Sequence, residues 1–513
     1  MVRTLSLSLG AVALLALAPT VVHADDNTSN GAADLPAGTV IGTRNRMIVT
    51  PPEQFNSSPA VEVSNVIWMN RCKDGCTITG GTINDARQHI VAYIAPGQYQ
   101  IPEFSNNAGE PGTAADAEWN QLVQCVKEMY SPFNITVTDV KPASGNYSEA
   151  IVGGVSGDLG MDPNVGGVAA FSCAPRDNAI SFTFSDSGFY HFSDLQTRIW
   201  ELCAVVGQES AHNFSLDHAY EFFDGTSACN DPMTYRTDCG GQRFFRNKQA
   251  RCGEYEVRDC YLGQAVCGGS GTGQNSHQKL LSIFGAGQSL IPAPTVAVTF
   301  PASGGTLTNG QAIAFQAGSK RGVEKNELYL NGFKWGEVAG AAFGPNGQKN
   351  PADYTTTLPN GVPDGVIDIQ VKAYDDLGLA TMSDPVTVTK GAPCTSADSC
   401  LAGQKCEAGK CFWDPPSGKL GDSCDFNQFC ESLMCVQTDS GGYCSQECVV
   451  GSTDSCPEGL ECVAAGTSGA CLPADDGGGC CSVGGGSVWV HGGVSLLVLG
   501  MVLRRRRRRD DRL

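Results

Sequence analysis

Twelve of the chain's 24 cysteines fall between Cys394 and Cys471, and the residues between them are mostly Gly, Ser, Asp and Pro. A segment so poor in large apolar side chains cannot bury enough core to hold itself together, so covalent staples must do it. Cys394, Cys400, Cys406 and Cys411 are separated by five, five and four residues, and eight more cysteines follow from Cys424. Zinc knuckles are the competing use of such spacing. No histidine lies among these cysteines, and disulfides are the expected use in an oxidising compartment. Region 394–471 is therefore expected to be a small disulfide-rich domain, with a pairing that spacing alone does not fix.

The two ends supply the compartment. Residues 1–24 carry an early Arg3, an apolar run from Leu9, and the small-residue close Val22-His23-Ala24. That is the pattern of a secretory signal peptide, with an apolar core too short to span a membrane. At the other end, 478–513, Cys480-Cys481 precedes a nearly apolar stretch over 484–503, followed at once by six arginines, 504–509. Twenty apolar residues suffice for a transmembrane helix, and the Arg cluster belongs on the cytoplasmic side. Formal net charge is −19. Because six basic residues sit in that one run, the rest of the chain is more acidic still, which argues against a nucleic-acid partner.

Four further segments follow from composition. Residues 25–60 are polar and rich in Asn, Ser, Gly and Pro, without periodicity, and read as a linker. Residues 61–290 read as one mixed α/β domain. After the hinge Ile291-Pro292-Ala293-Pro294, residues 294–390 contain short β-branched and aromatic runs at Thr295–Phe300, 312–317, 327–331, 354–358, 366–374 and 386–389. Turn signals such as Asn331-Gly332 and Asp364-Gly365 separate them, which suggests an all-β sandwich. It resembles bacterial immunoglobulin-like modules, and Ala373-Tyr374-Asp375-Asp376-Leu377-Gly378 looks like their penultimate strand and turn. A spacer role is the expectation there.

The chemistry concentrates in 208–218. The stretch from Thr197 to His212 has helix-like apolar spacing and runs into Asn213-Phe214-Ser215-Leu216-Asp217-His218. Residues four apart share one helix face, and a metal held from that face needs a further ligand once the chain turns back. Glu209, His212 and His218 resemble the metzincin signature H-E-x-x-H-x-x-G-x-x-H of zinc peptidases of matrixin and reprolysin type. Asp231-Pro232-Met233-Thr234-Tyr235 resembles their Met-turn, with Met233 at the turn and Tyr235 at the position of an extra ligand. The resemblance covers about 115–285 in layout: a helix at 119–130, strands at 134–140, 150–153, Gly167–Phe171 and 179–184, then the active-site helix. It implies Glu209 as general base, His212 and His218 as ligands of Zn2+, and Gln208 and Tyr235 as auxiliary ligands. Two positions depart from the signature. Gln208 stands where the first His belongs, and a neutral amide is a weak zinc ligand. Ser215 stands at the Gly position, where φ is expected to be positive at a cost of about 1–2 kcal/mol.

The C-terminal order of Cys motif, span and Arg cluster resembles myxosortase-type sorting tails of Gram-negative bacteria. That implies a sorting protease acting at Cys480 and Cys481, after export through the Sec pathway; a permanent single-pass anchor is the alternative. Two functions follow from different classes. One is a cell-surface zinc metalloendopeptidase acting on protein or peptide, membrane-held or released. The other is an inactive pseudopeptidase that binds peptide without cutting it. Cys72 and Cys76 either close a local disulfide or offer a latency thiolate, and Cys125 with Cys203, and Cys229 with Cys239, are candidate pairs.

Overall fold

The computed structural model describes residues 45–49, 63–171, 173–220, 231–235, 241–260, 271, 273–340, 351–439, 441–450, 455–465 and 468–473. The signal-peptide region, the span 484–503 with its Arg cluster, Cys480 and Cys481, and the pair Cys229 and Cys239 lie outside them. Among the described residues no helix is long and apolar enough to cross a membrane. The described chain is mostly β-sheet with few helices, and its C-terminal part is rich in disulfides.

The first part contains β1 (Asn45–Val49), β2 (Val66–Asn70), β3 (Cys76–Gly80), β4 (Ile90–Val91), β5 (Gly97–Ile101) and α1 (Asp116–Tyr130). It continues through β6 (Thr136–Thr138), β7 (Ser148–Val152), β8 (Gly167–Phe171), β9 (Ile180–Thr183) and α2 (Leu195–His212). It closes with β10 (Gln249–Ala250), β11 (Gln274–Asn275) and α3 (Ser276–Phe284). A six-stranded sheet runs in the order β1-β8-β9-β7-β2-β6. Strands β6, β2, β7 and β9 pair in parallel, β8 pairs antiparallel with β9, and β1 lies parallel to β8. Every residue of β7, β8 and β9 is buried, as expected of strands covered on both faces. Residues 25–60, expected to be a linker, thus contribute a strand; five residues in a polar setting are too short for a readable period.

One face of the sheet packs against α1 and α2, with Trp119, Leu122, Val126, Leu202, Val205 and Val206 in a common core. Cys125 and Cys203 join the two helices by a disulfide. Asp194 caps α2, accepting from Thr197 N at 2.9 Å, an interaction worth about 1 kcal/mol. Arg198 is fully buried and pairs with Glu118 of α1, and its guanidinium also donates to Ser105 O, Ser185 O and Tyr190 O at 2.8–3.0 Å. With its donors met, the charge fixes α2 in register rather than straining it. Cys72 and Cys76 form a local disulfide, so neither offers a thiolate to a metal.

The sandwich comprises β12 (Thr295–Phe300), β13 (Ala312–Gly318), β14 (Lys325–Leu330), β15 (Phe333–Ala339), β16 (Ala352–Thr357), β17 (Gly365–Tyr374), β18 (Ala380–Met382) and β19 (Val386–Lys390). Sheet β12-β13-β16 faces sheet β15-β14-β17-β18, with β19 also on β17. Alternate residues of β17 are buried, the period-2 signature of a strand with one face in the core. Asn331 and Gly332 have φ of 49° and 81°, the conformation that a tight hairpin turn demands. That hairpin supplies β15, which with β18 was not among the expected strands.

The sandwich does not hang as a free spacer. Fully buried Arg321 pairs with Asp376 at 2.8 and 2.9 Å and donates to Phe245 O at 3.0 Å. Arg246 also reaches Asp376, at 3.5 Å. Beyond the sandwich, all twelve cysteines from Cys394 to Cys471 are paired: Cys394–Cys406, Cys400–Cys411, Cys424–Cys435, Cys430–Cys444, Cys448–Cys462 and Cys456–Cys471. Three successive groups of four each pair first to third and second to fourth. No sulfur remains for a zinc knuckle.

Candidate metal centre

The C-terminal end of α2 carries Gln208, Glu209 and His212, all at most 2% exposed. The helix stops because Ser215 turns left-handed, with φ of 66°. Ser215 N donates to His212 O at 3.0 Å and Leu216 N to Ala211 O at 3.1 Å, closing the last turn as a helix C-terminus requires. The chain then doubles back, bringing His218 over the helix end. Gln274 pins this return: Asp217 N donates to its Oε1 and its Nε2 donates to Asp217 O, both at 2.8 Å.

The two imidazoles meet at Nε2, with 3.1 Å between His212 Nε2 and His218 Nε2. His212 Nδ1 lies 2.7 Å from Leu216 O, and a carbonyl can only accept, so Nδ1 carries the proton. His218 Nδ1 lies 2.7 Å from Glu254 Oε1 and donates to that carboxylate by the same logic. In the neutral rings both Nε2 lone pairs therefore point at each other. Such an approach needs a cation or a shared proton between them. Two nitrogens bound tetrahedrally at 2.0–2.1 Å would stand about 3.3 Å apart, close to the observed separation. Burial, followed by the neighbouring His218, pushes the His212 imidazole down to about 3, so it stays a neutral donor at physiological pH.

Glu209 lies on the same helix, three residues before His212. It is fully buried, and neither carboxylate oxygen accepts a hydrogen bond. Burial pushes its carboxyl well above the usual range. Gly167 of β8 makes room for it: a Cβ there would stand 2.8 Å from Glu209 Cγ and Oε1. An orphaned buried carboxylate beside two converging imidazoles is the donor chemistry of a hard or borderline divalent cation.

Tyr235 is brought to the same place, its ring 4.5 Å from that of His218. Burial, and then Glu254 and Glu209, hold its phenol well above the usual value. Met233 is buried in the core beneath, and its carbonyl accepts from Ala219 N at 2.9 Å. Asp231 shapes the turn, accepting from Met233 N and Arg246 N, each at 2.9 Å. Through Arg246 this turn connects to Asp376 of the sandwich. Gln208 directs its Nε2 at Met233 O across a long 3.5 Å.

Sequence reasoning missed Glu254 and Arg258. Arg258 holds Glu254 at 2.5 Å and Asp217 at 2.6 Å. Burial alone would raise the Glu254 carboxyl, but hydrogen bonds from His218 and Arg258 hold it far below the usual range. An anionic Glu254 fixes the His218 tautomer and makes its Nε2 a stronger donor. Replacing Glu254 by Gln is expected to lower zinc affinity about 10–100-fold, the usual worth of such a partner, with the fold intact. Competition against a chromophoric chelator measures it, and unchanged affinity would remove His218 from the ligand set.

Four groups of three side chains come close enough to hold a metal ion. Three are cysteine triples whose sulfurs are consumed in disulfides. The fourth is Asp217, His218 and Glu254, with ligand atoms within 4.8 Å of one another. Arg258 already neutralises its carboxylates, so the facing Nε2 atoms of His212 and His218 are the better place for an ion.

No family model matches this chain, and no curated protein does. Among solved structures, the fibronectin(III)-like modules of Clostridium thermocellum CbhA share 21% identity over 19% of this chain and 96% of theirs, with a TM-score of 0.15. OgpA from Akkermansia muciniphila shares 10% identity over 67% of this chain and 97% of its own, with a TM-score of 0.17. Likeness at these scores assigns neither fold nor function, so the candidate centre stands on its own geometry.

Proposed function

We propose that this chain is a zinc-dependent metalloendopeptidase of metzincin type, exported through the Sec pathway and displayed at the cell surface on its C-terminal tail. The observation that carries the reading is the pair of Nε2 atoms, 3.1 Å apart, on rings whose Nδ1 atoms are both committed elsewhere. His212 and His218 would hold the ion, with Tyr235 and Gln208 as auxiliary ligands. When bound, zinc supplies Lewis acidity and brings the pKa of a coordinated water to about 7. Glu209 takes up the proton at its carboxylate and returns it to the departing amine nitrogen. The walls around Glu209 exclude bulk water, which favours a proton held on the carboxyl between those two transfers. Protein or peptide is the substrate, the membrane the tail's partner, and a sorting protease its processor at Cys480 and Cys481.

A second reading is a peptide-binding module that does not cut. It is favoured by Gln208, which gives an amide where a third imidazole would complete the set. The deciding experiment is metal analysis of the purified exported chain, combined with cleavage of an unfolded protein. About one zinc per chain and cleavage abolished by chelator are expected. A metal-free chain indifferent to chelator would mean that a shared proton bridges the histidines, and would leave the binding-module reading.

A further inference from the structure

The outer edge of β8 is the backbone nearest the candidate centre. Gly167, at one end, lies against Glu209. Phe171, at the other, sets its ring edge-on to His212, with centroids 6.3 Å apart. The inner edge of β8 is satisfied by β9, in antiparallel pairing. The outer edge is taken by β1, in parallel and in unbroken register from Asn45 opposite Gly167 to Val49 opposite Phe171. A strand one ladder spacing away stands about 4.8 Å from β8. Five residues at about 3.3 Å each then run alongside the centre for roughly 16 Å.

Without β1 that edge would present unpaired N–H and C=O groups, a ready template for any extended peptide. The occupant is weakly committed. Parallel pairing is somewhat less stable per residue than antiparallel, so a peptide free to run the other way can compete. The connection from Val49 to Val66 contains Pro51, Pro52 and Pro59 among polar residues. It is long enough that β1 is held by its ladder and not by its tether.

We infer that Asn45–Val49 occupies the path of an extended peptide along β8, so that the chain keeps its own strand in its peptide site until that strand is displaced. This rests on reading the cleft as a peptide site, and it applies whether the bound peptide is cut or only held.

The test uses the full exported chain carrying Met47→Pro together with Ile48→Pro. Successive strand residues direct their N–H groups to opposite edges, so one of the two prolines removes a donor to β8 whichever way β1 faces. Hydrogen exchange is expected to rise at least about tenfold at the alternate amides of 167–171 that face away from β9, and to stay unchanged in β7. A fluorescent peptide copying residues 43–51, added in trans, should bind the variant at least about tenfold more tightly than the parent, and should restore protection. Both proteins carry Glu209→Gln so that the probe stays intact. Unchanged exchange would mean β1 is not seated in solution and would overturn the inference. Raised exchange with unchanged peptide binding would also overturn it, since the freed edge would not be a peptide path. Failure of the peptidase reading shows elsewhere, as missing zinc and missing chelator-sensitive cleavage, and leaves both arms readable.

Discussion

Replacing Gln208 by His is expected to raise zinc affinity by at least about 100-fold, the upper end of what a partner outside the coordination shell is worth. Gln208 and His212 are four residues apart on α2 and so share one face of the helix. An imidazole at 208 would enter the space between the helix end and the 231–235 turn, where Gln208 already lies buried. Little is lost by the change, because the amide's contact with Met233 O is 3.5 Å long and a hydrogen bond so stretched contributes little. What is gained is a neutral nitrogen donor of the kind from which zinc sites are built, where an amide oxygen is not. A hundredfold gain corresponds to about 2.7 kcal/mol of binding free energy. Competition titration of parent and variant against the same chelator reads it directly. An unchanged constant would mean that the His212 and His218 nitrogens converge on a proton, and that 208 does not face an ion.

The parts that were legible in the sequence are those with a local cause. The α2 helix was readable because its apolar spacing, its Asp194 cap and its buried face agree. The positive φ at Ser215 was readable because the chain must reverse within six residues if His212 and His218 are to meet. Strands Gly167–Phe171 and Thr295–Phe300 were readable to the residue as short apolar or β-branched runs. What escaped depends on distant partners. Glu254 and Arg258 lie 36 and 40 residues beyond His218, on a stretch without periodicity, and only the folded loop places them on its Nδ1 and on Asp217. The five residues of β1 form a strand only because β8, more than a hundred residues later, offers them an edge. The repeated pairing of the twelve C-terminal cysteines was equally invisible, since spacing permits many connectivities. The docking of the sandwich through Arg321 and Asp376 rests on two charges that look like ordinary surface residues in the sequence.

Replacing Glu209 by Gln is expected to lower the cleavage rate by about 10²–10⁴-fold, the usual worth of a positioned general acid–base, while zinc affinity changes by no more than a few-fold. The same substitution should raise the stability of the metal-free chain. Burial holds the Glu209 carboxyl above its ordinary value of 4.5, so the folded state binds this proton more tightly than the unfolded state does. Stability from that proton is then fully present below pH 4.5 and is lost as pH rises towards the folded value. Gln carries no titrating proton, and an unpartnered buried amide costs less than an unpartnered buried charge. The melting temperatures of metal-free parent and variant should therefore nearly coincide at pH 4, and the variant's should be the higher at pH 7. Adding zinc should narrow the gap, because a cation beside Glu209 stabilises its ionised form. Three outcomes separate the roles. Lost cleavage with retained zinc and the pH-dependent stabilisation places the proton transfer on Glu209. Lost cleavage with lost zinc makes Glu209 a support of the ion and not its proton carrier. Retained cleavage removes it from the reaction, and with it the peptidase reading of this helix end.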